Sequence, residues 1–179
     1  MKIVSTFVEN LFTLWYDDIP KDELSRQFSS WKDSEYLYSF FKINHNDLYR
    51  SIWNFISIEY AIDKTINDAL AFEGVLLNNP HIDLEARFKP LNDLQYSPMT
   101  LNKSKCYGIT PPSWLRLYGL RVEKGVYVIT GGAIKLTHRM EEREHTHEEL
   151  IKLDKGRNFL KENGVFDNDG LVDLIEFEV

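Results

Sequence analysis

Apolar positions in the first half of the chain recur mainly at three- and four-residue spacing, the period of helices packed on one face. Leu24, Phe28 and Trp31 share one such face, and Pro20 with the carboxylates of Asp17 and Asp18 marks the start of that helix. Tyr36, Leu37, Phe40 and Phe41 form a second helical stretch that stops at Asn44-His45-Asn46. The longest candidate runs from an N-cap at Ser57 through Ile58, Ala61, Ile62, Ile66, Ala69, Leu70 and Leu77, and Asn78-Asn79-Pro80 ends it. The apolar, aromatic opening (Phe7, Leu11, Phe12, Leu14, Trp15) is read with the same helical region.

The period then changes. Trp114 to Val122 alternates in part, Glu123-Lys124-Gly125 is a turn signal, and Val126 to Thr130 is β-branched and aromatic, which predicts a hairpin. Gly131-Gly132 interrupts the pattern before Ala133 to Thr137, read either as a third strand or as the second strand continued across a bulge. Thr146 and Glu149 have the spacing of a capping box, and the helix they open carries Leu150, Leu153, Phe159 and Leu160 to a C-cap at Asn163-Gly164. The fold class is α+β: a mainly helical region over residues 1–100 packed on a small twisted antiparallel sheet and a C-terminal helix over residues 101–179.

Composition narrows the class of protein. Of 179 residues 43% are hydrophobic and 13% aromatic, enough for a sizeable core, and Cys106 is the single cysteine, so no intrachain disulfide forms. No apolar run approaches the roughly 20 residues of a membrane span, and Glu9 interrupts the place of a signal peptide. A cytoplasmic protein without membrane association is expected.

A net charge of -7 argues against a generic nucleic-acid binder, but the charge is unevenly spread. Residues 103–139 hold seven Lys or Arg (103, 105, 116, 121, 124, 135, 139) against Glu123 alone, while residues 1–100 and 140–179 are net acidic. By the two-residue period, Arg116 and Tyr118 share one face of their strand, and Arg121 falls on the apolar face unless a bulge redirects it. Lys135 and Thr137 share a face of the next strand. Arg116, Tyr118, Lys135 and Arg139 together offer cations for phosphate and a ring for base stacking. Such a set also stabilises the charge that develops when an RNA 2′-hydroxyl attacks its own phosphodiester. The rival reading is a solvated face, salt-bridged to the acidic helices.

Other motifs carry less. A phosphate-loop lysine motif, a full dinucleotide fingerprint and HExxH are all missing. Asp167-Asn168-Asp169-Gly170 would need a carboxylate at Val165 to be a calcium loop, and reads as a turn. His138, His145 and His147 lie among five glutamates, a sparse candidate for zinc against a default of solvated polar residues. Cys106 has Lys105 beside it but no compelling activating partner.

The stretch Trp114 to Leu160 resembles the RelE/ParE superfamily of bacterial toxins, particularly its HigB-like and phage-derived branch. The text that carries the resemblance is Leu115-Arg116-Leu117-Tyr118-Gly119-Leu120-Arg121, Val126 to Ile129, Gly131 to Thr137, and Glu148-Glu149-Leu150. It implies a toxin-like component of a toxin-antitoxin module, a ribosome-associated endoribonuclease acting on mRNA without a metal or other cofactor. Its partners would be a cognate antitoxin protein and mRNA on the ribosome. The resemblance implies that Arg116 and Arg121 hold the scissile phosphate, that Lys135 neutralises developing charge, and that Tyr118 or His138 positions or protonates. A rival from another class is a non-catalytic protein-binding module that uses Trp15, Trp31, Tyr36, Tyr38, Phe40, Phe41 and Trp53. A third reading makes the acidic helical half a mask over the basic face.

Overall fold

The chain opens on two strands rather than a helix. In the computed structural model, which describes residues 1–49, 53, 55–92 and 95–177, β1 (Lys2–Ser5) and β2 (Leu11–Trp15) form an antiparallel hairpin turned by Asn10 at φ 61°. Five- and four-residue strands are too short to show a period, and the crowd of large apolar residues in β2 reads equally as helix. Helices α1 (Glu23–Trp31), α2 (Ser34–Ile43), α3 (His45–Leu48) and α4 (Ile58–Leu77) follow. The expected N-cap Ser57 accepts from the Tyr60 N–H, and Asn78 ends α4. The carboxylate that caps α1 is Asp22, not Asp17 or Asp18, and Asp33 caps α2.

After α5 (Leu84–Arg87) come β3 (Phe88–Pro90), β4 (Asn102–Tyr107), β5 (Leu115–Glu123) and β6 (Val126–Ile134), then α6 (Glu144–Glu162) and α7 (Asn168–Phe177). The fold is α+β. Among the described residues its sheet has six strands in the order β1-β2-β6-β5-β4-β3 and is mixed rather than antiparallel throughout, because β2 pairs with β6 in parallel. The simple order of helices, then sheet, then one helix is corrected accordingly. Strands from residues 2–15 and 88–90 join those of residues 102–134, so both halves of the chain build one sheet.

Two cores lie on opposite faces of this sheet. On one, Leu24, Phe28, Trp31, Phe41 and Phe72 pack with Leu115, Leu117, Tyr127 and Ile129; on the other, Leu153, Leu160 and Leu171 pack with Leu14, Leu120, Val126 and Val128. Burial of each such side chain contributes about 1.5–3 kcal/mol. Among the described residues no helix is long and apolar enough to cross a membrane.

One extra residue in β6 decides which side chains meet. Tyr118 faces Gly131 and the next pair is Gly119 with Ile129, so Thr130 is a bulge and β6 continues across it. Before the bulge, even positions (Val126, Val128) belong to the α6 face; after it, odd positions (Gly131, Ala133) do. A strand without the bulge would send Lys135 to the face of Tyr127 and Ile129. With it, Lys135 joins the face of Arg116 and Tyr118.

The terminal elements depart from expectation in two places. Thr146 is not an N-cap: its buried hydroxyl donates to the carbonyls of Met140 and Arg143, and α6 already begins at Glu144 after a 3₁₀ turn at Met140–Glu142. The Asp167 to Gly170 segment is a helix start in which the Asp167 carboxylate accepts from the Gly170 N–H. The Asn163-Gly164 C-cap is present, with Gly164 at φ 74°.

Candidate functional site

On β4 the period of two separates Lys103, Lys105 and Tyr107 from Ser104 and Cys106, and Cys106 joins the core under α1 and α4. Tyr107 pairs with Arg116 and Arg116 with Ala133; Lys105 pairs with Tyr118 and Tyr118 with Gly131. Two cross-strand rows therefore place Lys105, Tyr107, Arg116 and Tyr118 side by side on one face of the sheet. Lys135 extends the third strand, its N–H donating to the Trp114 carbonyl at 2.7 Å. The residues line a cavity of about 640 Å³, closed at its rim by Leu91, Asn92, His138, Arg139, Met140, Glu141 and Leu150.

The cations of this cavity are held by carbonyls instead of carboxylates. Lys105 Nζ donates to the Leu91 carbonyl at 2.7 Å, and Arg116 Nη1 donates to the carbonyls of Ser113 and Leu115 at 2.8 Å each. Lys135 Nζ donates to the carbonyls of Thr137 and His138. Among the described residues none of the three has a carboxylate ion pair. Burial lowers the affinity of Lys135 for its proton, and the charges of Arg116 and Lys105 lower it further. Burial acts in the same direction on Arg116, whose guanidinium lies 4.0 Å from the centre of the Tyr107 ring. Glu142 and Glu141 act on Lys135, and Asp68 on Arg116, in the opposite sense, so the crowding of these three like charges is only partly offset.

Tyr118 beside Arg116 is buried. It is 1% exposed, its hydroxyl has no hydrogen-bond partner among the described residues, and burial raises its pKa, which keeps the phenol protonated. His138 and Arg139 stand exposed at the rim, and Glu141 is the one carboxylate in the lining among the described residues. Behind Arg116, the buried Asp68 accepts from Ile109 N, Thr110 N and the Ser113 hydroxyl, fixing the segment whose carbonyls hold the guanidinium.

Of the five residues singled out in the sequence, Arg116, Tyr118, Lys135 and His138 meet in this cavity. Arg121 does not. It lies on the opposite face, donating from Nε and Nη2 to Glu85 at 3.1 and 2.8 Å, and the same carboxylate accepts from Gly125 N and the Tyr127 hydroxyl. Its partnered charge braces the β5–β6 turn. The two-residue period assigned Arg121 to that face, and the resemblance alone carried it to the phosphate. Sequence reading missed Lys105 and Tyr107, although Lys103-Ser104-Lys105-Cys106-Tyr107 alternates legibly.

No family model, curated protein or solved structure matches this chain.

The remaining candidates resolve simply. Cys106 is buried, and burial pushes its thiol up to about 12, so it serves packing. His145 Nε2 lies 2.9 Å from the Ile134 carbonyl with its ring edge-on to Phe40, His147 is exposed, and no group of three metal-ligating side chains occurs among the described residues. Trp31, Phe41 and Trp53 are buried in the core, while Tyr36 and Tyr38 are about half exposed. Helices α1, α2 and α4 pack on the other face of the sheet, so the acidic helical half does not cover the basic cavity.

On the same face of the sheet, over Gly131, lies a buried charge cluster. Lys152 bridges Glu149 and Glu23 at 2.9 and 3.1 Å, Arg26 is bidentate to Glu23, and the second Glu149 oxygen is packed against Gly131. Burial pushes the Glu149 carboxyl up to about 7. The folded state thus holds this proton more tightly than the unfolded chain. The Glu149 contribution to stability is full below about pH 4.5 and is lost as pH rises through about 7. In thermal unfolding, Glu149→Gln is therefore expected to gain on the wild type as pH rises from 5 to 8; a constant difference across that range would show that Glu149 does not titrate there.

Proposed function

We propose that the cavity binds the phosphates of single-stranded RNA and that the chain is a toxin-like endoribonuclease of the RelE/ParE kind. One observation carries the reading: Lys105, Arg116 and Lys135 converge on one cavity, anchored by carbonyls and unpaired with carboxylates, above a buried and unpartnered tyrosine hydroxyl. The resemblance to that superfamily supports it, since Arg116 and Lys135 are among the positions the likeness assigns to phosphate.

The chemistry follows from the charges. Arg116 and Lys105 hold non-bridging phosphate oxygens, and the buried Tyr118 positions the strand beside Arg116. The 2′-oxygen forms a bond to phosphorus while the bond to the 5′-oxygen breaks, leaving a 2′,3′-cyclic phosphate and a 5′-hydroxyl. The proton of the 2′-hydroxyl departs and one is delivered to the 5′-oxygen, an exchange for which His138 at the rim is placed. Lys135 neutralises the charge that grows on the phosphoryl oxygens at the transition state. Tyr107, 42% exposed and backed by Arg116, offers its free surface to a base. mRNA on the ribosome is the proposed substrate, and an antitoxin that covers the cavity the proposed regulator.

In the presence of translating ribosomes, the purified protein is expected to cut their mRNA into fragments ending in 2′,3′-cyclic phosphate, and its expression in bacteria to arrest growth. Lys135→Ala should do neither. RNA left intact by the wild type, or cut equally by both, overturns the enzymatic reading.

A further inference from the structure

The cationic cavity does not end at its own rim. Leu91 and Asn92 are shared with a neighbouring groove of about 210 Å³ whose lining includes Lys103, Arg157 and Lys161. Lys103 and Lys105 are alternate residues of β4 and point to the same side, about 6.6 Å apart along the strand. Arg157 and Lys161 are one turn apart on α6 and present adjacent charges to the same groove. The only carboxylate bound to these cations among the described residues is Asp154, which accepts from Lys103 at 2.8 Å and from Arg157 at 3.2 Å. Three cations share one anion, and Lys161 is exposed without an ion pair among the described residues.

Resting on the phosphate-binding reading of the first cavity, we propose that this groove is a second polyanion subsite, so that the ligand is an extended RNA strand running from the cavity across Leu91 and Asn92 rather than a mononucleotide. The two lysines of β4 supply the continuity: Lys105 serves the first cavity and Lys103 the second, and successive phosphates of one extended strand meet successive cations along β4. A dependence on strand length follows, because the groove adds cations for further phosphates.

The test compares a dinucleotide with an octanucleotide of the same RNA sequence, using the full chain at one salt concentration. For the wild type, the octamer is expected to bind at least tenfold more tightly. The Arg157→Ala/Lys161→Ala variant, altered only at surface side chains outside the first cavity, should lose at least fivefold in octamer affinity and leave dinucleotide binding unchanged. Its octamer salt slope should fall by about 1.4, because two fewer phosphates of the single strand are neutralised. Octamer affinity equal to the wild type, or an equal loss for both lengths, overturns the groove while leaving the cavity standing. A wild type that binds neither oligomer overturns both.

Discussion

Gly119→Ala is expected to lower the melting temperature by about 5–15 °C, from a cost of about 2–4 kcal/mol in a chain of this size. A Cβ at Gly119 would stand 2.7 Å from the carbonyl oxygen of Val128 and 3.3 Å from its carbon. These are backbone atoms of the paired strand, and no rotamer change moves them aside. The close approach arises where the ladder steps from Tyr118/Gly131 to Gly119/Ile129 around the Thr130 bulge. Because that bulge delivers Lys135 to the face of Arg116, the same substitution should also weaken RNA binding at temperatures where the variant remains folded. Gly74→Ala serves as the comparison, since on α4 its Cβ meets only the Asn78 side-chain nitrogen at 3.7 Å. Helix propensity then favours alanine by about 1 kcal/mol. Differential scanning calorimetry on the two variants decides the matter, and equal melting temperatures would show that the bulge is not held as described.

The second large effect concerns the lysines. Each charge-assisted hydrogen bond to phosphate is worth about 1.5–3 kcal/mol, so Lys105→Ala/Lys135→Ala should cost at least a hundredfold in affinity for single-stranded RNA. The rate of cleavage should fall by more than the affinity, because Lys135 interacts most strongly with the transition state. Neither lysine has a carboxylate partner to strand, although their removal releases the carbonyls of Leu91, Thr137 and His138, so the unfolding transition of the variant is to be measured beside its affinity. Arg116 is less suited to this test: its guanidinium also ties down the carbonyls of Ser113 and Leu115, and its removal would perturb the strand itself.

Much of the helical fold could be read from the residues, since α1, α2 and α4 are long enough for their spacing to repeat and their caps follow capping chemistry. The β1–β2 hairpin was illegible because its strands are short, and its parallel pairing with β6 spans more than a hundred residues of sequence that no local pattern reports. The hairpin at Lys124-Gly125 and the bulge near Gly131 left local signals. What a bulge does to the strand beyond it was not visible: the parity switch that brings Lys135 beside Arg116 depends on which residue is unpaired, and Thr130 looks like any strand threonine. Arg121 teaches the converse. Its position in the alternation placed it away from Arg116, and the pattern of the strand was a better guide to its location than the likeness of the surrounding text. Asp68 stands far along the chain from every cation of the cavity, and nothing local to it signalled its role.

The salt dependence of RNA binding tests the central claim, that phosphates sit among Lys105, Arg116 and Lys135, most directly. For the wild type, log affinity should fall against log salt concentration with a slope of about -2 or steeper, as three or more single-strand phosphate contacts require. In Lys105→Ala/Lys135→Ala the slope should be shallower by about 1.4. Identical slopes for the two proteins would place the phosphates elsewhere and contradict the account.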